Sequence, residues 1–430
     1  MSARPTASGA DDGMSPGGRC RLCGAQLSRT FVNLGMSPLC ESFLEARQLD
    51  DMEPYFPLHV FICDVCLLVQ LKQYVSPEAI FREYAYFSSY STSWVAHAAA
   101  YVRMITDRLG LGPQSQVVEL ASNDGYLLQH FAPLGIPVLG IEPAANVAKV
   151  ALEKRIPTRV EFFTLDLAKT LVETGGQADL IIGNNVLAQV PDLNDFVAGM
   201  HHLLTSYGII TLEFPHLARL MAGNQFDTVY HEHFSYFSLI AIVELARRHD
   251  LIVVDVEELS THGGSIRVYL AHALSRHQPT GRVAALLAEE ERLGLREVRG
   301  YERFSKQVKE TKRKLLACLI DLKNAGKAIC GYGAPGKGNT LLNYCGIGPD
   351  FLDFTVDRNP YKHGRFTPGM HIPIRELAAI DQAKPDYVLV LPWNLKQEIM
   401  AQMSHVSAWG CRFIVPIPSV TVVDAKDAAR

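Results

Sequence analysis

The sequence has no apolar run of the roughly 18 residues that are needed to cross a bilayer. It also has no run of basic residues, and its formal net charge of -4 gives no sign of a nucleic-acid-binding surface. Residues Met1 to Gly18 are polar and rich in Gly, Pro and Ser, and they lack the charged and then apolar order of a signal peptide. We therefore expect a cytoplasmic protein with a disordered leader over residues 1–18, and neither a membrane nor a nucleic acid as its partner.

The residues that are present are those of a globular protein. The chain has 430 residues, of which 48% are hydrophobic and 20% are charged. This length exceeds the size at which a single hydrophobic core stops growing, so we expect several domains.

Four of the nine cysteines form two CxxC pairs near the start of the chain. They are Cys20, Cys23, Cys63 and Cys66. Thiolates at this spacing bind one Zn²⁺ tetrahedrally, and four thiolates leave no coordination position open, so the predicted zinc is structural. A redox pair or two disulfides is the alternative, which a cytosolic setting disfavours.

A nucleotide-binding pattern follows the cysteine pairs. Gln116 to Leu120 reads as a buried parallel strand, Ala121 to Gly125 as a tight turn, and Tyr126 to Phe131 as the start of a helix. A second strand, Val138 to Ile141, ends on Glu142, where such folds place the carboxylate that binds ribose hydroxyls. The unit matches the first βα unit of class I methyltransferases that use S-adenosylmethionine (SAM), although Ala121 and Asn123 replace the earlier glycines of the loop.

The same pattern is compatible with NAD, but the strand within Ala178 to Leu187 has the form of a methyltransferase strand and favours SAM. Asn184 ends this strand and is expected beside the cofactor. The predicted cofactor-binding residues are Glu119, Ala121, Asn123, Gly125, Glu142 and Asn184.

The peptide Tyr230 to Tyr236 carries two imidazoles, one carboxylate and two phenols. Each buried polar group without a partner costs about 1–3 kcal/mol, so a core has little reason to hold so many. Proton transfer is the use that explains their density, and we predict a catalytic site. A strand edge or a zinc site is the alternative use of these groups.

A second glycine-rich turn lies between Lys327 and Thr340, after a strand and before a helix. Free backbone amides at the helix start, with the Lys337 ammonium nearby, suit a diphosphate. The alternative is a second Rossmann-like domain whose loop only turns tightly.

These motifs together resemble one family from about Cys20 to about Pro418, the sugar C-methyltransferases of antibiotic deoxysugar pathways. Tyr84 to Ser91 and Thr261 to Arg267 match the same family. The resemblance implies an α/β protein with a small zinc-binding N-terminal domain, a class I methyltransferase Rossmann-like domain and a second Rossmann-like C-terminal domain. It implies SAM-dependent methylation of carbon 3 of a nucleotide-linked 4-keto-deoxysugar, typically a dTDP sugar.

The resemblance also implies the roles of the catalytic residues. His233 is expected to be the base that removes the carbon 3 hydrogen, and an imidazole titrates near neutral pH. Glu232 would orient it or bind the sugar, and Tyr230 and Tyr84 would hydrogen-bond the oxygen on which charge develops. His231 is either a supporting residue or part of the site. The residues expected to hold the nucleotide diphosphate are Gly333, Lys337, Asn339, Lys362 and Arg365.

One position departs from the family. Gln189 stands where the family commonly has histidine, and glutamine can donate and accept hydrogen bonds but cannot carry a proton. If that histidine is an obligatory acid or base, this chain uses another residue or another substrate. If it only binds the keto oxygen, Gln189 replaces it, which is the interpretation we prefer.

Two other classes of function stay open. One is a methyltransferase acting on oxygen, nitrogen or RNA with the zinc-binding domain as a docking module, and the other is a nucleotide-binding scaffold without activity. We expect the protein to be a monomer. The expected segments are a leader (1–18), the zinc-binding domain (19–80), the methyltransferase domain (81–280), a helical linker (281–324) and the C-terminal nucleotide-sugar-binding domain (325–422).

Overall fold

The computed structural model describes residues 18–81 and 87–425, which form three β-sheets with helices around them. The strands are β1 (Arg29–Ser37), β2 (Phe56–Ile62), β3 (Val69–Leu71), β4 (Val117–Leu120), β5 (Val138–Ile141), β6 (Thr158–Arg159), β7 (Ala178–Asn184), β8 (Leu204–Pro215), β9 (Ser235–Tyr236), β10 (Leu251–Leu259), β11 (Ser265–His272), β12 (Ile329–Tyr332), β13 (Thr355–Val356), β14 (Ile374–Arg375), β15 (Tyr387–Val390), β16 (Arg412–Val415) and β17 (Thr421–Asp424). The helices are α1 (Pro77–Phe81), α2 (Thr92–Leu109), α3 (Ala145–Glu153), α4 (Leu165–Gly175), α5 (Leu193–Leu203), α6 (Leu217–Ala222), α7 (Leu239–Arg248), α8 (Gly281–Arg292), α9 (Glu302–Asn324), α10 (Gly336–Cys345), α11 (Ala378–Ala383) and α12 (Lys396–Gln402).

The N-terminal sheet has the antiparallel order β1-β2-β3-β9. Its first three strands follow one another along the chain, whereas β9 comes from the segment between β8 and β10. In the register, Val69 lies opposite Tyr236 and Gln70 opposite Ser235. The peptide that the sequence marks as catalytic therefore ends as an edge strand of the N-terminal sheet.

The central sheet has the order β6-β5-β4-β7-β8-β11-β10, in which only β11 runs against its neighbours. This is a class I methyltransferase sheet, and it brings the carboxyl ends of β4, β5 and β7 side by side. The predicted helix over Tyr126 to Phe131 is wrong, because this stretch leads into two short 3₁₀ turns, Leu128–His130 and Ala132–Leu134. Pro133 explains the difference, since it lacks an amide hydrogen and restricts Ala132.

The C-terminal sheet has the order β14-β13-β12-β15-β16-β17 and is parallel except for β17. Helices α8 and α9 connect it to the central sheet. Phe304 of α9 stacks on Phe31 of β1, with ring centroids 4.8 Å apart, and the N-terminal sheet shares a hydrophobic core with the C-terminal sheet. The zinc-binding region is thus packed between the other two parts of the molecule.

Within the described ranges, no helix is both long and apolar enough to cross a membrane.

Candidate active site

The turn after β4 is built from residues in the left-handed conformation. Ala121, Asn123 and Gly125 have φ angles of 56°, 50° and 75°. A Cβ atom at Gly125 would lie 3.2 Å from Ile156, so only glycine fits without movement. The turn lies at the carboxyl end of β4, which is where a class I methyltransferase binds its cofactor.

Several buried polar groups around this turn have no hydrogen-bond partner among the described residues. Both carboxylate oxygens of Glu119 lack one, as do the Ser122 hydroxyl and the side-chain oxygen of Asn184. Burial raises the pKa of Glu119 well above its usual range, and the carboxylates of Glu142 and Asp124 add to the shift. Unpaired groups of this kind call for a polar ligand, and the donors of SAM fit them.

Glu142 follows β5 and accepts two backbone hydrogen bonds. Its carboxylate oxygens receive the amide hydrogens of Asn123 (2.9 Å) and Ala144 (2.8 Å). Burial raises the pKa of Glu142. The carboxylate therefore fixes the cofactor turn and still lies where ribose hydroxyls are bound in this fold.

The peptide Tyr230 to Tyr236, which the sequence predicts to be catalytic, is hydrogen-bonded both to the N-terminal sheet and to the turn after β7. The Leu71 amide donates to the Phe234 carbonyl oxygen (2.9 Å), which extends the pairing of β3 with β9, and the Phe234 amide donates to the Ala188 carbonyl oxygen (2.7 Å). Ala188 and Gln189 belong to a 3₁₀ turn just after β7. The structure thus brings the segment of Gln189 to the segment of His233.

His233 is held as a neutral imidazole with one defined tautomer. Its Nδ1 lies 3.1 Å from the Thr228 carbonyl oxygen, which only accepts, so Nδ1 carries the proton and Nε2 is the basic nitrogen. Its ring centroid is 4.2 Å from that of Tyr230. Burial lowers the pKa of His233 to about 4, the Thr228 hydrogen bond opposes this shift, and the nearby His262 and the Lys337 charge add to it.

Although Glu232 directly precedes His233 in the sequence, its side chain lies beside the N-terminal region and not beside the His233 ring. The Cys40 thiol donates to its carboxylate with an Sγ to Oε1 distance of 3.7 Å. Burial raises the pKa of Glu232 to about 7, the nearby Glu41 carboxylate raises it further, and the Cys40 hydrogen bond opposes both. This carboxyl group changes its charge near neutral pH.

The side chain of His231 is packed among aromatic residues. It is buried, and its ring packs edge-on against Phe56 and Tyr74, at centroid distances of 5.8 and 6.5 Å. Burial lowers its pKa. Its role is to pack the catalytic peptide onto the N-terminal sheet.

The C-terminal sheet contributes a tryptophan and a lysine to the same region. Trp393 donates from its indole nitrogen to the buried carboxylate of Asp227 (2.6 Å). Lys337 donates to the Asn394 side-chain oxygen (3.0 Å) and lies over the Trp393 ring. Burial raises the pKa of Asp227 to about 6, whereas the Lys337 charge lowers it. The Lys337 ammonium therefore faces the groups of the central domain.

The glycine-rich loop after β12 is occupied by protein atoms. The Ala334 amide donates to Asp357 (2.7 Å), and the Gly336 amide bonds to Glu41. A Cβ at Gly333 would lie 2.6 Å from Pro392, so this glycine is required by packing. A diphosphate could bind these amides only by displacing the carboxylates of Asp357 and Glu41.

The remaining predicted substrate residues lie around this loop. Asn339 is buried and donates to the Cys40 carbonyl oxygen (2.6 Å), and Lys362 donates to the Ala334 carbonyl oxygen (2.8 Å). Lys362 also pairs with Glu41 at 3.5 Å. Arg365 is exposed. Tyr84 lies outside the described residues.

The four cysteines meet as a single cluster. Their sulfur atoms all lie within 4.8 Å of one another, with Cys20 and Cys66 at 3.5 Å and Cys23 and Cys63 at 3.5 Å. A tetrahedral zinc with bonds of about 2.3 Å requires sulfur atoms about 3.8 Å apart, so the cluster fits the metal. Gln70 of β3 donates to Cys20 Sγ (3.1 Å) and connects the cluster to the strand that pairs with β9.

Comparisons with known proteins agree with this architecture. Three family models match the chain: a zinc binding domain over 20–81, a methyltransferase domain over 94–256 and a C-methyltransferase C-terminal domain over 260–418. The C-methyltransferase NovU of Streptomyces niveus is 36% identical over 415 residues, which cover 96% of this chain and 99% of NovU. This chain belongs to the C-methyltransferase family.

The solved structures that resemble this C-methyltransferase match part of it. A SAM-dependent methyltransferase from Anabaena variabilis is 14% identical and covers 41% of this chain and 84% of its own, with a TM-score of 0.35. Magnesium protoporphyrin IX methyltransferase ChlM from Synechocystis, with bound SAM, is 14% identical and covers 45% and 88%, with a TM-score of 0.32. The assignment rests on the family models and on NovU.

The family, the fold, the cofactor turn after β4 and the four-cysteine cluster all agree with one enzyme class. The C-methyltransferase uses SAM as its cofactor, and its N-terminal domain binds zinc through four cysteines. Because all four positions are thiolates, the zinc is structural. The predicted family, fold class, enzyme class and cofactors are confirmed.

Sequence reasoning missed several residues of the site. Nothing in their local sequence marks Cys40, Asp227 or Trp393, because each reaches the site through long-range packing. His262 lies in the segment Thr261 to Arg267, which the sequence matched to the family without assigning it a role, and its Nε2 lies 3.2 Å from the Asn185 side-chain nitrogen just after β7.

Proposed function

We propose that this C-methyltransferase methylates carbon 3 of a nucleotide-linked 4-keto-deoxysugar, with dTDP as the nucleotide and His233 as the base. The observation that carries the proposal is the His233 imidazole, whose Nδ1 is bonded to the Thr228 carbonyl oxygen so that Nε2 is left to accept a proton. The ketone acidifies the adjacent carbon, and hydrogen-bond donors to the keto oxygen stabilise the enolate so that a neutral imidazole can take the proton. The family membership supports transfer to carbon.

Residues of this chain are proposed to take the carbon 3 proton and to stabilise the negative charge that develops on the keto oxygen. His233 Nε2 takes the carbon 3 proton, and the electron pair of the C–H bond moves onto the keto oxygen to give an enolate. To Tyr230, whose ring lies against His233, we assign the hydrogen bond to that oxygen. SAM supplies an electrophilic methyl carbon when it is bound. Bond formation between the enolate carbon and this methyl would break the methyl–sulfur bond and leave S-adenosylhomocysteine, the ketone would return, and His233 would release its proton to water.

The nucleotide end of the substrate is assigned to the face of the C-terminal domain. Lys337 is the predicted residue whose ammonium faces the central domain, and Lys362 and Asn339 lie behind it at the glycine-rich loop. Glu41 and Asp357 fill the loop amides, so Lys337 carries most of the proposed diphosphate contact.

The experiment is an assay of purified protein with SAM and a dTDP-linked 4-keto-deoxysugar, with the methyl group located in the product by NMR. A methyl on carbon 3 is the expected result. A methyl on an oxygen, or no methylated product from protein shown to bind SAM, would contradict the proposal.

A different carbon acid is the second candidate, and Gln189 is the observation that favours it. A 4-ketone also acidifies carbon 5, and a substrate with another arrangement around the ketone would need another polar group at position 189. The same product analysis distinguishes carbon 3 from carbon 5.

A further inference from the structure

The turn between β10 and β11 presents His262 in an unusual conformation. Its φ angle is 53°, in the left-handed region that few residues other than glycine adopt, and its side chain is open to solvent. Gly263 and Gly264 follow with φ angles of 90° and 118°. Residues kept in this region cost free energy, and they cluster at functional sites.

Contacts on both sides hold this turn in place. Thr261 donates to the buried carboxylate of Glu213 (3.0 Å), which is itself paired with Arg267 at 2.6 Å. On the other side, the Gln225 side chain donates to the Gly263 carbonyl oxygen (2.7 Å). Gln225 lies in the same segment as His233, between β8 and β10. The turn is therefore fixed to the central sheet and to the catalytic segment at once.

The imidazole of His262 also has a defined tautomer. The Asn185 side-chain nitrogen donates to His262 Nε2 (3.2 Å), so Nε2 accepts and the proton is on Nδ1. Asn185 follows Asn184 at the carboxyl end of β7, beside the cofactor turn, and its own φ is 55°. The Trp94 ring supports the His262 ring edge-on at 5.2 Å. The Nδ1–H is a donor with a fixed direction.

The His262 ring is exposed to solvent and contacts Asn185 and Trp94 of the central domain. Desolvation lowers the pKa of His262, the Lys337 charge acts in the same direction, and the Glu213 carboxylate opposes both. Lys337 also lowers the pKa of His233. The two imidazoles and the ammonium therefore interact electrostatically, and His262 is neutral at physiological pH.

We infer that His262 is a second catalytic imidazole, whose Nδ1–H donates a hydrogen bond to the keto oxygen of the acceptor while His233 holds the proton taken from the adjacent carbon. The inference rests on the proposed function. It supplies the site with an imidazole that donates a hydrogen bond, a role separate from the proton transfer of His233. No proton leaves His262 in this role, since a hydrogen bond to the enolate oxygen is sufficient to stabilise its charge.

Hydrogen–deuterium exchange at the acceptor carbon tests the inference. The enzyme is loaded with S-adenosylhomocysteine, which has no methyl to transfer, so that exchange of a dTDP-linked 4-keto-deoxysugar in deuterated water reports enolate formation alone. His262→Gly removes the donor and accepts the positive φ angle without strain. We expect its exchange rate to fall about 100-fold, the usual effect of losing one oxyanion donor. His262→Asn, which also tolerates this conformation, should lose less.

His202→Asn is the matched control, because His202 is an exposed histidine of α5. Its exchange rate should equal that of the wild type, and the affinity of all variants for SAM should be unchanged. Wild-type exchange in His262→Gly would overturn the inference, and so would a loss of SAM affinity that parallels the loss of exchange. Absence of both exchange and methylation in the wild type would instead overturn the proposed function.

Discussion

Phe234 donates its amide hydrogen to the carbonyl oxygen of Ala188 over 2.7 Å, which joins the residue after His233 to the residue before Gln189. The bond links the turn after β7 to the catalytic peptide. Both segments lie at the carboxyl end of the central sheet, where the cofactor binds. Residue 189 is therefore placed by the same backbone contact that places His233, the proposed base.

The role of Gln189 can be measured by two substitutions. Gln189→Leu removes the hydrogen-bonding group at nearly constant size, and we expect kcat to fall by about 100-fold if the side chain binds the keto oxygen. Gln189→His restores the residue common in the family and should keep activity within a few-fold. Steady-state kinetics with SAM and the keto-sugar gives both values. Equal activity of wild type and Gln189→Leu would show that position 189 does not contact the substrate.

Zinc should be needed for methyl transfer more than for cofactor binding. Gln70 connects Cys20 to β3, and β3 pairs with β9 next to His233, so loss of the metal loosens the catalytic peptide. We expect Cys23→Ser to lose zinc and most of its activity while its SAM affinity, measured by calorimetry, changes less. Cys318→Ser, a half-buried cysteine outside the cluster, is the control. A zinc-free protein with full activity would contradict this account.

The pH dependence of kcat/KM should show the ionisation of Glu232 near pH 7, since burial raises its pKa to about 7. His233, with a pKa of about 4, stays neutral throughout this range and adds no inflection there. Cys40→Ala removes a hydrogen bond to the carboxylate and should move the inflection up. Glu41→Gln removes a nearby negative charge and should move it down. Shifts of the same sign in the two variants, or an inflection that persists in Glu232→Gln, would contradict the assignment.

Lys337 should dominate binding of the nucleotide diphosphate. Lys337→Met keeps the apolar stem and removes the charge, and we expect KM for the nucleotide sugar to rise about 10- to 100-fold, the loss of one charge-assisted hydrogen bond. Lys327→Met is the control, because Lys327 pairs with Asp386 just before β12, whereas Lys337 lies beyond its carboxyl end. An unchanged KM in Lys337→Met would place the diphosphate elsewhere.

Much of the fold was predictable because its signals are local. The spacing of the cysteine pairs can be read directly from the sequence. In Val138 to Glu142, the strand and the carboxylate that ends it lie within a few consecutive residues. The buried strands of the central and C-terminal sheets are continuous apolar runs that end at turns. The exception is Tyr126 to Phe131, where the helical spacing was real but Pro133 prevented a helix.

The parts that were not predictable depend on contacts between distant segments. The pairing of β9 with β3 requires a register that two residues of strand cannot specify. In the glycine-rich loop after β12, the sequence indicated free amides, but Asp357 and Glu41 fill them from other segments. His262 adopts its left-handed conformation because Glu213 and Gln225 hold the turn, and neither is a neighbour in sequence.

The most direct test of the central claim, that His233 removes a proton from carbon 3, is NMR of a dTDP-linked 4-keto-deoxysugar incubated with enzyme and S-adenosylhomocysteine in deuterated water. The account predicts that wild type and His231→Phe, a change at the neighbouring packed histidine, exchange the carbon 3 hydrogen, whereas His233→Ala does not. Exchange by His233→Ala at the wild-type rate, or deuterium at a different carbon in the wild type, would contradict it.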